Sequence, residues 1–372
     1  MIAQLACLLA LSGLQQDSQT VNRVDLSVTP GSVARLWIQY TPDPLAEPHK
    51  SPKKFGENKM QWDFPWIVGG FSHITGDDSN VELRFQVYSQ EQKSNRAVAV
   101  TQMLLRLWEF NTERLSLKHP TNYHLGIVDV YLCFGGQAGG EQLIDQEESR
   151  DRVNPNKTNI YKVNTIYIYD TNSFTDPVEM AREVAHEYGH ASWPPIGGFK
   201  DPEEWADGYL AEKVFLRWIR DAMARNELTP DDAMGATKAA LDKWIAANVD
   251  PLILKAAQTE PTSDLLADPS KNGMDAFIGL ALYLETIYPD KVFARTLMLG
   301  TYDAKNYPAG VVLAAEEPDQ VTLKIPTTFI RKAIWIPLGT GKLTGAAILK
   351  KDPTGWVQIQ VGANPIVITN TH

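Results

Sequence analysis

Two histidines four residues apart enclose a glutamate in the string His186-Glu187-Tyr188-Gly189-His190. On a helix, residues four apart share a face, so both imidazoles can reach a single divalent ion. Glu187 lies about 100 degrees around the helix from His186. From there its carboxylate can take a proton from a water that the ion activates; zinc lowers the pKa of such a water to about 7. The chemistry these residue types support is zinc-assisted attack of water on a carbonyl. A catalytic zinc site normally adds a third protein ligand and keeps one position open. No histidine follows His190 until the terminal His372, so a third histidine ligand downstream is not expected. The run Asp201-Pro202-Glu203-Glu204-Trp205-Ala206-Asp207 and, further on, Glu212 offer candidates. Those acids have a structural use too, since carboxylates in a first helical turn favour the dipole and Asp201 to Glu204 reads as a capping box.

The pentad needs a helix, and the residues before it supply one. Asp176 can cap, Pro177 suits the first helical position and Glu179 completes a capping box, so a helix is expected through Ala191. The connector SWPPIGGFK suits a tight return into a second helix over 202–225, on which Glu203 and Asp207 would share a face. Helical spacing also marks 96–115, 231–248 and 274–298. Strands are expected at VDLSV, RLWIQY, 81–88, 124–134 and 163–169, the last reading equally as a half-buried strand or as an edge open to an extended peptide. A Pro/Lys loop is expected over 41–58 and an exposed Gly-rich, acidic loop over 135–151. From Tyr307 onward strand signals return as VTLKI, KAIWIPL, AAILK, WVQIQV and PIVIT.

Composition narrows the function classes. The 372 residues are 44% hydrophobic and 22% charged, which is ordinary for a folded chain. A net charge of −10 argues against nucleic acid as a partner, because phosphate binding needs a concentrated basic face. The short KSPKK cluster at 50–54 reads as a solvated loop. Residues 2–14 form a largely apolar run that fits the hydrophobic region of a signal peptide over 1–16, although no Lys or Arg precedes it. Its removal would leave no membrane-spanning segment and place the protein in a secreted, periplasmic or cell-surface setting. It would also leave Cys133 as the sole cysteine, an inert core thiol in an apolar run.

The string HEYGH followed by Glu203-x-x-Ala206-Asp207 resembles the gluzincin group of metallopeptidases. The resemblance covers roughly 163–213, and the spacing from His190 to Glu203 is shorter than in the best-known members. It implies that His186, His190 and Glu203 are the ligands of a Zn2+ ion, Glu187 the general base, and Asp207 a support for a ligand histidine. It also implies an α+β fold with a zincin-like core over 80–300, flanked by β-rich regions over 17–79 and 307–372. The implied activity is that of an endopeptidase acting on peptides or proteins. Such a reaction needs a donor for the oxyanion; Tyr283 is the first candidate, with Tyr288 and Tyr209 behind it. The alternative is an inactive pseudo-peptidase whose zinc is structural and whose β-rich flanks bind other proteins or a surface.

Overall fold

The computed structural model describes residues 20–74, 81–92, 94–119, 126–150, 158–300 and 302–370. The signal-peptide expectation for 1–16 lies outside these. The fold is mixed α+β, and the chain divides into two compact units. The first comprises the described residues up to Glu113, Lys118–Ser192 and Trp218–Leu241; the second comprises Arg114–Leu117, Trp193–Arg217 and the described residues from Asp242 onward.

A seven-stranded mixed sheet organises the first unit. Its strands are β1 (Asn22–Asp25), β2 (Ala34–Tyr40), β5 (Trp66–Ile74), β6 (Val81–Ser89), β7 (Val128–Leu132), β9 (Thr158–Tyr169) and β8 (Gly139–Arg150), in that spatial order. β6, β7 and β9 run parallel, and the other pairings are antiparallel. Helix α1 (Asn95–Glu109) packs on β5 and β6, and α2 (Pro177–Ser192) packs on β8 and β9. Period-two alternation gives each strand two different faces. On the helix side Ile166 and Ile168 are buried; on the other side Tyr88, Tyr131 and Tyr167 stand in register across three strands with centroids 5.0 and 4.9 Å apart. Cys133 is buried among these rings, and burial pushes its thiol pKa up, as an inert core thiol requires.

Two expected loops are strands. Within 41–58, β3 (His49–Phe55) pairs with β4 (Met60–Phe64), and this hairpin covers the tyrosines through Phe55, Trp62 and Phe64. Its lysines are not simply solvated: Lys50 pairs with Asp63 and Lys53 with Glu141. Within 135–151, β8 forms a twelve-residue ladder with β9. An edge strand bonded on one side needs few apolar residues, so its polar sequence imitates a loop. β8 therefore occupies the sheet edge and β9 an interior position, which corrects the reading of 163–169 as an edge.

From Trp193 onward the described chain is helical and then β-rich. Helix α3 (Asp207–Ala224) begins five residues later than the spacing predicts. α4 (Lys238–Asn248), α5 (Asp250–Gln258), α6 (Ser263–Leu266), α7 (Lys271–Ile287) and α8 (Asp290–Leu299) follow. The expected helix 274–298 is broken between α7 and α8, where Tyr288 and Pro289 are extended. A further helix, α9 (Tyr307–Glu316), precedes the C-terminal strands, where strands alone were expected. β10 (Gln320–Thr322), β15 (Val367–Thr369) and β12 (Lys342–Thr344) form one antiparallel sheet. β11 (Ala333–Pro337), β14 (Trp356–Gln360) and β13 (Ala347–Lys351) form another. No helix among the described residues is long and apolar enough to cross a membrane.

Candidate metal centre

Helix α2 carries the pentad, and its ends are fixed by side chains. Asp176 Oδ1 accepts the Val178 N–H at 2.9 Å, an N-cap bond. Glu179, in the first turn, receives Arg182 at 3.1 Å. At the other end Asn164 of β9 donates to the Ala191 carbonyl at 3.1 Å, and Asn111 donates to Ser192 Oγ at 3.1 Å. Val178, Ala181, Val184, Ala185 and Tyr188 bury the sheet-facing side. Behind Tyr188 sits His119, whose pKa burial pushes down to about 3. It is a neutral core histidine.

His186 and Glu187 are buried and His190 is half-buried. The two histidines present Nε2 atoms 3.1 Å apart, with ring planes at 77 degrees. Zn–N bonds of about 2.0–2.1 Å at a tetrahedral angle put two nitrogens about 3.3 Å apart. The pair thus fits one ion.

Glu203 is not on a helix, which corrects the expectation that it shares a helix face with Asp207. It lies in the segment between Gly197 and Trp205, which form an isolated bridge. Ala206 N–H donates to the Ile196 carbonyl at 2.8 Å and closes the segment. Gly197 N–H donates to the Tyr302 carbonyl at 2.9 Å, Ala304 N–H to Gly197 at 3.0 Å, and Lys200 N–H to Pro269 at 2.8 Å. The Trp205 ring fills the place a Gly197 Cβ would take, 2.9 Å away. These bonds position Glu203 without helical spacing. Asp207 opens α3, is buried, and accepts the Ile196 N–H at 3.4 Å.

Ligand atoms of His186, His190 and Glu203 all lie within 4.8 Å of one another, the one such group of three among the described residues. The other carboxylates are placed differently: Glu204 is exposed, and buried Glu212 accepts Lys213 Nζ at 2.7 Å. Two imidazoles and one carboxylate so placed could hold a metal ion.

The tyrosine expectation fares worse. Tyr283 is fully buried and donates to the Trp335 carbonyl at 2.8 Å, so its proton is engaged in the core. Tyr288 likewise donates to Pro337 at 3.2 Å. Lys213 lies over the Tyr209 ring. Sequence spacing also missed a neighbour of the pentad. Gly140 of β8 stands so close to Glu187 that a Cβ would meet Glu187 Cγ at 2.5 Å. The only sequence signal was the paired glycine in FGGQAGG, which reads as loop.

Compared with known proteins, the chain matches no family model, no curated protein and no solved structure.

Proposed function

We propose that the chain is a zinc-dependent hydrolase of gluzincin type that cleaves peptide bonds in extended chains. One observation carries this reading: two imidazole nitrogens and one carboxylate oxygen converge, and the glutamate between the histidines is buried on the same helix. In this reading His186, His190 and Glu203 hold the ion and leave one position open. When bound, zinc supplies Lewis-acid chemistry, polarising a carbonyl and acidifying a water. Glu187 takes the proton of the attacking water and delivers it to the leaving amine. Asp207 orients a ligand histidine by accepting its ring N–H. β8, antiparallel and at the sheet edge among the described residues, is the strand to which an extended peptide adds. An antiparallel edge strand beside the motif helix supports a zincin-like core. The apolar run at 2–14 supports action outside the cytoplasm.

The test is hydrolysis of casein or a mixed peptide substrate with and without a chelator. Activity is expected to stop on chelation and return with zinc. Glu187→Gln is expected to lower kcat by about 10²–10⁴-fold while zinc stays bound. Hydrolysis that ignores the chelator, or none at all, contradicts the proposal.

One observation favours a second reading, a pseudo-peptidase with structural zinc acting as a binding protein. The hydroxyls of Tyr283 and Tyr288 are bonded to core carbonyls, so neither stabilises an oxyanion as it stands. Unchanged biological behaviour of a zinc-retaining Glu187→Gln variant would select it.

A further inference from the structure

We propose that Gly140 is a positioning residue for Glu187, its missing side chain being the space in which the carboxylate is held. The catalytic consequence rests on the hydrolase reading, whereas the contact stands on geometry alone. A Cβ at Gly140 would lie 2.5 Å from Glu187 Cγ, 2.7 Å from Oε1 and 2.8 Å from Cδ. Carbon atoms prefer about 3.5–4.0 Å, so three atoms of one side chain would be displaced together. Turning the carboxylate about Cγ–Cδ alone leaves the Cγ contact in place, so the whole side chain would have to swing. Glu187 is buried, and α2 is tied at its start by Asp176 and near its end by Asn164 and Asn111. β8 is held by its ladder, in which Gly140 faces Ile168. With helix and strand both tied, the carboxylate is the part that must move.

The neighbouring glycine serves a different purpose. Gly139 has φ +143, a backbone conformation that L side chains rarely adopt, and a Cβ there would meet nothing closer than Glu183 Oε1 at 3.9 Å. Gly139 shapes the chain and Gly140 makes room. The strand that offers its edge to a substrate main chain is therefore the strand whose backbone bounds the base. The spacing between base and substrate is set by one backbone contact, without an intervening side chain.

The experiment is a double-mutant cycle between Gly140→Ala and Glu187→Ala, read in two ways. In the zinc-loaded protein, Gly140→Ala is expected to lower kcat by about 10²-fold with KM changed less than about twofold and zinc content unchanged. In chelated protein, Gly140→Ala is expected to lower Tm by a few degrees in the wild-type background and by almost nothing beside Glu187→Ala, because the clashing atoms are gone. Wild-type kcat in Gly140→Ala, or an equal Tm loss in both backgrounds, overturns the proposal. Absence of chelator-sensitive hydrolysis in the wild type would sink the hydrolase reading, while the melting cycle still decides the contact.

Discussion

Two imidazole nitrogens at 3.1 Å sit at the separation expected of neighbouring ligands on a tetrahedral ion. The remaining ligand then decides whether the pair is a site. Glu203 places a carboxylate oxygen within 4.8 Å of ligand atoms of both histidines and is the proposed third ligand, whereas buried Glu212 is engaged with Lys213. Glu203→Ala is expected to lose stoichiometric zinc. Glu212→Ala is expected to keep the metal but to lose about 3–5 kcal/mol of stability, because it takes the countercharge from a buried lysine and leaves it the Tyr209 carbonyl. Metal analysis beside urea denaturation checks both; retained zinc in Glu203→Ala would refute the ligand assignment. Tyr283→Phe is expected to cost about 1 kcal/mol through its lost bond to Trp335 and to leave kcat unchanged. A large fall in its kcat, with stability intact, would return Tyr283 to the reaction.

At the scale of elements, legibility followed how local each signal was. Helix α2 could be read because its cap, its opening proline and its apolar face all lie within sixteen residues of sequence. Five of the six C-terminal strands could be read because each is a short strand-forming run bounded by turn residues; β12 (Lys342–Thr344) was missed. β8 could not, since Glu, Gln, Asp and Gly in one ladder look like a loop until a partner strand is known. Glu203 was singled out by the resemblance and misplaced in its geometry: the capping-box pattern promised a helix, but the Gly197–Trp205 bridge holds an irregular segment there. α1 shows another tie that only the fold reveals. Arg106, 1% exposed, pairs with Asp232 at 2.8 Å and Glu109 at 3.1 Å, fastening α1 to the turn Pro230–Ala233. Asp232→Ala is expected to destabilise by about 3–5 kcal/mol, since it leaves a buried guanidinium short of a partner. A loss under about 1 kcal/mol in denaturant titration would show that water replaces the carboxylate.

For the whole molecule, the acid side of neutrality is the vulnerable one. His49 stacks on Tyr88 at 4.0 Å, and burial pushes its pKa down to about 4; His119 is pushed down to about 3. In the unfolded chain both titrate near 6.5. Between those values the unfolded state binds more protons, so the stability is complete above pH about 6.5 and is lost as pH falls toward 4. His49 alone accounts for about 2–3 kcal/mol of that loss by pH 4. Melting curves from pH 7 to 4 are expected to fall more steeply for the wild type than for His49→Gln; parallel curves would show that His49 is not the acid-sensitive group. The central claim is more direct still: one ion, three protein ligands. Metal analysis of purified wild type beside His186→Ala and Glu203→Ala tests it, with about one zinc per chain expected in the wild type and close to none in either variant. A wild type free of metal, or a Glu203→Ala variant as fully loaded as the wild type, would contradict it.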